Sequence, residues 1–227
     1  MRAFSKLPGE FQCDEVKAYY DIVSQKTGSL IAKRAADIII SAVLLVFLLI
    51  PIIVISAAVK LNSKGPVLFK QERVTTYGKR FKILKFRTMV VNADKMGTLV
   101  TTEGDSRVTG IGGFLRKYRL DELPQIFNVL SGSMSIVGTR PEVPEYVEQY
   151  KPEYFATLLI PAGITSPASL LYKDEDKLLS SQENADEVYI NTILPEKMKY
   201  NLQYTREFGL KSDILLMLKT VKDVLGH

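Results

Sequence analysis

The chain has 227 residues, one cysteine (Cys13), one histidine (His227) and a net charge of +5, with a pI of about 9.1. These counts exclude a disulfide framework, a cysteine-rich metal site and histidine-dependent catalysis, leaving acid–base or nucleophilic work to Asp, Glu, Lys, Tyr or Ser. The basic balance suits phosphorylated small molecules, anionic lipid or nucleic acid, and the length suits one domain plus a membrane element.

Residues 1–30 are mixed and polar and read as a short helix or an accessory arm. The next unit, 31–62, is dominated by the uncharged run Ile38–Val59. As a straight helix it would measure about 33 Å, enough for a bilayer core of about 30 Å. It begins too far into the chain for a cleaved signal peptide. An all-round apolar helix of this length is rare in the core of a small soluble domain. Pro51 removes a backbone donor and predicts a kink, freeing the Phe47 carbonyl. Both flanks are basic: Lys33 and Arg34 precede the run, and Lys60, Lys64, Lys70 and Arg73 follow it. Cytoplasmic flanks carry the Lys/Arg excess, so a re-entrant helix hairpin with both ends on one side is favoured over a single span.

Residues 63–227 form the cytoplasmic domain. Val67-Leu68-Phe69 and the stretch Phe81–Phe86 flank a turn at Thr76-Tyr77-Gly78, which predicts a β-hairpin whose second strand presents cations. Residues 92–112, rich in Gly, Thr and Asp, predict a long loop of the functional-lid kind. A short helix is expected over Phe114–Tyr118. A second helix is signalled by Asp121 as N-cap, Pro124 in the first turn, an apolar face of Leu123, Ile126, Phe127 and Leu130, and Gly132 at its end. The tail reads as two amphipathic helices, about 195–208 and 212–225, divided by Gly209. Basic residues beside the apolar face of the last, Ile214, Met217, Leu218, Val221, Val224 and Leu225, suit a membrane interface. An ordinary packed surface helix fits the same pattern. The fold class is therefore α+β, mainly helical: a re-entrant membrane helix and a small domain with a β-hairpin and interfacial amphipathic helices.

Asp121 and Glu122 are adjacent carboxylates at the expected helix N-terminus, where the dipole favours ionised groups and free N–H groups bind anions. An ionised carboxylate beside bound phosphate can act as a nucleophile. Two anions would repel a diphosphate, so cations are required: a divalent ion such as Mg²⁺, and Arg116, Arg119 and Arg140 with Lys82, Lys85 and Arg87. The bland alternative is an N-cap and a dipole-favourable first-turn residue.

The wider pattern decides between them. Phe81-Lys82-Ile83-Leu84-Lys85-Phe86-Arg87-Thr88-Met89, Asp105-Ser106-Arg107-Val108-Thr109, Phe114-Leu115-Arg116, Leu120-Asp121-Glu122-Leu123-Pro124-Gln125, Phe127-Asn128-Val129-Leu130 and Met134-Ser135-Ile136-Val137-Gly138-Thr139-Arg140-Pro141 occur in order. Together with the proline-centred apolar run, Gly65-Pro66-Val67 and Gln71-Glu72-Arg73, they resemble the monotopic phosphoglycosyl transferases, also called bacterial sugar transferases, over about residues 32–166. The resemblance implies a re-entrant helix at the cytoplasmic face of the bacterial inner membrane. It implies transfer of a sugar 1-phosphate from a UDP-sugar to undecaprenyl phosphate, opening surface-glycan assembly. Asp121 would be the nucleophile forming a covalent phosphosugar with release of UMP, and Glu122 the Mg²⁺ ligand. Lys85, Arg116 and Arg140 would lie in the active site.

The chain departs from the family at Ile50, where Ser often precedes the proline. It departs again at Thr139 in the usual Gly-Pro-Arg-Pro, and at 161–167, where Pro161-Ala162-Gly163-Ile164-Thr165-Ser166-Pro167 replaces Arg-Pro-Gly-Ile-Thr-Gly-Trp. It resembles the small, minimal form. The competing readings are a non-catalytic membrane-anchored adaptor of polysaccharide assembly and a single-pass protein with a nucleic-acid-binding basic domain. Asp121, Glu122 and Arg140 speak against the first. Phe81, Phe86 and Tyr77 offer too few interleaved aromatics for the second, so no nucleic-acid partner is expected. Membrane lipid is an expected partner, and a homodimer is compatible with so small a chain. The sugar, the pathway and the oligomeric state are not encoded in any recognisable motif.

Overall fold

The computed structural model describes residues 1–93, 96, 104–172, 179 and 184–225. Residues 94–95 and 97–103 of the expected loop, and His227, lie outside the described residues. The chain is mainly helical, with two small sheets among the described residues. Helix α1 (Asp14–Gln25) leads into α2 (Thr27–Asn62). The hairpin is β1 (Leu68–Thr75) and β2 (Lys79–Phe86), antiparallel, in the register Leu68↔Phe86 to Thr75↔Lys79. Its turn is the expected one: a 3₁₀ turn over Thr76–Gly78, with Tyr77 at φ 59° and Gly78 at φ 72°.

After α3 (Gly110–Lys117), a single 3₁₀ turn (Leu120–Glu122) and α4 (Gln125–Ser131) carry the candidate site. Strand β3 (Ser135–Val137) pairs in parallel with β4 (Gly163–Thr165). A Cβ at Gly138 or at Gly163 would overlap the other segment's backbone, so glycine lets the two strands close. Short helices α5 (Pro144–Val147), α6 (Pro167–Leu171) and α7 (Ala185–Val188) follow. A π turn (Tyr189–Ile193) then leads into α8 (Leu194–Glu207), and α9 (Leu210–Leu225) closes the fold.

The N-terminal residues are no detached arm. Leu7, Phe11, Val16, Tyr19 and Val23 are buried in the main core with Tyr154, Leu159, Met198 and Phe208. Each large apolar side chain so buried contributes about 1.5–3 kcal/mol. Arg206 stacks on the Tyr19 ring at 4.3 Å and donates to its hydroxyl at 2.8 Å.

Helix α2 is docked at both ends and free in the middle. Near its start, Lys33 pairs with Asp213 of α9 at 2.6 Å, both side chains buried. Arg34 donates to the Val129 and Leu130 carbonyls at the end of α4, where a cation satisfies orphan acceptors. Asp37 accepts from Ile136 N at 3.0 Å, and Ser41 is buried. Near its end, Ile52, Ile55 and Val59 pack on Val67, Phe86 and Leu115. Between these anchors Val46, Phe47 and Ile50 are 74%, 72% and 72% exposed. Pro51, where a kink is expected, lies inside one continuous helix, Thr27–Asn62. Proline forfeits one backbone hydrogen bond, and the helix resumes beyond it.

The two tail helices match the sequence pattern, but the apolar face of α9 is split. Leu216 and Met217 pack on the core. Leu210, Ile214, Leu215, Leu218 and Val221 are exposed. The expected face of α4 is likewise redrawn: Gln125, Ile126, Asn128 and Val129 are buried, while Phe127 is exposed.

Candidate active site

Asp121 and Glu122 lie on the 3₁₀ turn, entered through Arg119 in the left-handed region at φ 56°. Asp121 is not the helix cap the sequence suggests. Helix α4 starts at Gln125, and Pro124 precedes it without a side-chain cap bond. The Glu122 and Leu123 N–H groups donate locally, to Arg119 O and Leu120 O at 3.3 Å each, so they form no anion cradle. Bonds from residue i to i+3 close this segment as a separate 3₁₀ turn, and α4 begins only after Pro124. The site is therefore built from side-chain cations.

Strand β2 brings Lys85 to Glu122, Nζ to Oε1 at 3.0 Å. Arg140, just beyond β3, forks onto the same carboxylate, bonding Oε1 closely and approaching Oε2 at 3.4 Å. Burial pushes the Glu122 carboxyl up, but Arg140 and Lys85 outweigh it and hold it well below the usual range. Asp121 is 7% exposed. Burial raises its carboxyl above the ordinary value, against the pull of Lys85 and, more weakly, Arg116 and Arg140. Burial also lowers Lys85, with Glu122 opposing. The result is one deeply ionised carboxylate beside a second that is poorly solvated and flanked by cations.

Of the expected phosphate-binding residues, Lys85, Arg116 and Arg140 all act on Asp121. Lys82 and Arg87 do not join them. Lys82 is exposed, opposite Glu72 in the hairpin register, and three residues from Lys85 puts it on the other face of the strand. Arg87 is buried and donates to Pro66 O, to Ser63 O at 2.7 Å, to Ser63 Oγ at 2.8 Å and to Val59 O at 3.4 Å. It clamps the exit of α2, away from the Glu122 cluster. Gly65, at φ 127°, leaves the space its guanidinium fills.

Several supporting residues carry no sequence signal of their role. Arg73 donates to Pro141 O at 3.1 Å, steadying the segment that holds Arg140. Glu142, buried behind it, accepts from Tyr189 Oη at 2.7 Å, and Lys197 donates to that hydroxyl at 2.9 Å. Arg107 binds Asp105, with Nη2 to Oδ2 at 2.6 Å, and also bonds the Ala93 and Met96 carbonyls. Thr109 caps α3 by accepting from Gly112 N at 3.2 Å. The motif 105–109 thus fixes the entry to α3, and so the placing of Arg116. The altered stretch 161–167 supplies β4, and Thr139 O accepts from Gly163 N at 2.9 Å next to Arg140.

A hard cation such as Mg²⁺ takes one or two carboxylates together with substrate phosphate and water. The donor set fits. Among the described residues the Glu122 Oε2 atom has only the long Arg140 contact, and no hydrogen bond reaches the Asp121 carboxylate. No cluster of three or more acidic, Cys or His ligands occurs among the described residues, so substrate oxygens would have to complete the shell.

Comparison with known proteins follows the same line. The sequence model of the family described as bacterial sugar transferase matches residues 28–227. The chain is 36% identical over 197 residues to a UDP-N-acetylgalactosamine-undecaprenyl-phosphate N-acetylgalactosaminephosphotransferase of Aeromonas hydrophila, covering 85% of this chain and 43% of the relative. It is 37% identical over 193 residues to a UDP-glucose:undecaprenyl-phosphate glucose-1-phosphate transferase of Escherichia coli, covering 83% and 39%. A relative of that same name from Caulobacter vibrioides is 34% identical over 197 residues, covering 85% and 69%. The chain spans about two fifths of the length of the first two relatives.

Proposed function

This chain belongs to the bacterial sugar transferase family, and we propose that it transfers a sugar 1-phosphate from a UDP-sugar to undecaprenyl phosphate at the cytoplasmic face of the bacterial inner membrane. The observation that carries the proposal is the buried Asp121 beside Glu122, whose part-buried carboxylate Lys85 and Arg140 grip. The named substrates of the relatives support the donor and acceptor classes.

Asp121 is the nucleophile, because it is the carboxylate of the pair that no hydrogen bond holds among the described residues. A poorly solvated anion has less hydration to shed on attack. Its oxygen attacks the β-phosphorus of the UDP-sugar. The bond from that phosphorus to the bridging oxygen breaks, and UMP leaves with the oxygen and its electron pair. A phosphate oxygen of undecaprenyl phosphate then attacks the aspartyl phosphate. The acyl phosphate P–O bond breaks, the diphosphate-linked product forms and the Asp121 carboxylate is restored. Arg140, Lys85 and Arg116 stabilise charge on the phosphoryl oxygens throughout. Mg²⁺, held by Glu122 and Asp121, would supply further neutralisation of the diphosphate.

The disposition of α2 supports a re-entrant helix. Both ends dock on one domain, and the stretch with no docking contact on any face is residues 42–51, about 15 Å of helix, within a longer run that exposes Ile38, Ile39, Ile53 and Val54 as well. The undocked stretch is half of a bilayer core of about 30 Å. The exposed apolar stripe of α9 supports an interfacial position for that helix.

The test is UMP release from a panel of UDP-sugars with undecaprenyl phosphate and Mg²⁺, comparing wild type with Asp121→Asn. Release by the wild type alone is expected, and names the sugar. Release by a folded Asp121→Asn variant removes Asp121 from the nucleophile role. No release with any sugar favours the non-catalytic adaptor.

A further inference from the structure

Asn128 stands outside the cluster of charges, yet its side chain touches the strand that delivers one of them. Its Oδ1 accepts from Leu84 N at 2.9 Å, and its Nδ2 donates to Lys82 O at 2.9 Å. These two backbone groups lie on the edge of β2 that β1 leaves open, since the hairpin sheet has only two strands among the described residues. One buried amide therefore does what a peptide group of a third strand would do. Alternation puts Ile83 and Lys85 on the same face of β2. Ile83 packs on Val129 and Met134 beside Asn128, and Lys85 reaches Glu122. A two-stranded ribbon is marginal by itself, and a slip of one residue would turn Lys85 to the opposite face.

We propose that Asn128 is a positioning residue: its bidentate bond to β2 sets the register of the strand against α4 and holds the Lys85 ammonium on Glu122. Its consequence for catalysis rests on the transferase reading above. Its consequence for Lys85 does not.

Both are measured on the full chain in detergent, with the variants Asn128→Ala, which removes both bonds, and Asn128→Asp, which keeps the size and the acceptor and loses the donor. The first measurement needs no sugar nucleotide: the rate at which an amine-selective acylating reagent modifies Lys85, followed by mass spectrometry. Both variants should be modified roughly five-fold faster or more, on the scale of losing one hydrogen bond. The second is the rate of UMP release. A misplaced Lys85 should lower kcat by about 10-fold or more. Val23→Ala, fully buried on α1 in the main core and not in the cluster that holds Ile83, is the control for simple loosening. It should lower thermal stability while leaving the Lys85 acylation rate at its wild-type value. Wild-type acylation of Lys85 in the Asn128 variants overturns the proposal, as does an equal change in Val23→Ala. If Asn128→Ala does not fold, Asn128→Asp decides. If no UDP-sugar is turned over by the wild type, the transferase reading falls and the acylation contrast still decides this one.

Discussion

The Lys85 ammonium lies 3.0 Å from the Glu122 carboxylate, although 37 residues of chain separate them. The pair joins the hairpin to the turn that carries Asp121, and Arg140 closes it from a third segment. Charge placed this way is already oriented before substrate arrives, the arrangement that electrostatic stabilisation of a transition state requires.

The two carboxylates respond to pH with opposite signs. Asp121, raised by burial, would have to be ionised to act as the proposed nucleophile. The rate should therefore fall on acidification through an apparent pKa above the unperturbed aspartate value of about 3.9. Glu122 is depressed, so its stability contribution is present above the unfolded value of about 4.3 and is lost as pH falls through the folded one. Asp121 contributes stability below its unfolded value, lost as pH rises through its folded one. Activity should thus fail on acidification before the Glu122 contribution to stability does. Rate and thermal unfolding measured against pH on one preparation check this, and coincident acid limbs would contradict it.

Arg140→Lys retains the charge and loses the fork. Losing one charge-assisted hydrogen bond costs about 1.5–3 kcal/mol, or roughly 10- to 100-fold in kcat at that barrier change. Steady-state kinetics on the folded variant measure it. A drop of less than two-fold would show that the two-pronged bond to Glu122 is dispensable, in contrast to the usual behaviour of Arg-to-Lys changes at forked sites.

Topology is tested in a Cys13→Ser background by single cysteines at the exposed positions Ala35 and Leu61. Neither Ala35→Cys nor Leu61→Cys should react with an impermeant maleimide added to intact cells, and both should react after permeabilisation. Reaction at one position only would establish a spanning helix.

Lys33 and Asp213 form a buried pair, with side-chain exposures of 4% and 6%. Lys33→Met leaves Asp213 buried without its cation, which should cost about 3–5 kcal/mol. The double variant Lys33→Met with Asp213→Leu should recover most of that loss, because no uncompensated charge remains. Thermal unfolding in detergent reads both, and an equal loss in the double variant would mean that packing, not charge, joins α9 to α2.

Local pattern determined a good deal of this protein. Twenty-two uncharged residues from Ile38 to Val59 can only be a helix in an apolar setting. The alternation around Thr76-Tyr77-Gly78 required a hairpin, and Gly132, at φ 82°, ended α4 where expected. Adjacent acids with cations at 85, 116 and 140 marked a candidate chemistry, and the family resemblance, not residue type alone, implied the nucleophile. What the pattern did not contain was distance. Lys82, Lys85 and Arg87 are equivalent by charge, and only packing separates them: alternation turns Lys82 to solvent, Glu122 takes Lys85, and the end of α2 takes Arg87. Asn128 and Arg73 fell inside recognised motifs but with no signal of what they bond, and the N-terminal core residues had none, since the partners lie 44 residues away for Asn128 and Leu84, and 68 for Arg73 and Pro141. Ion pairs and amide clamps depend on positions within an ångström, and only the folded chain brings segments so far apart in sequence to that separation.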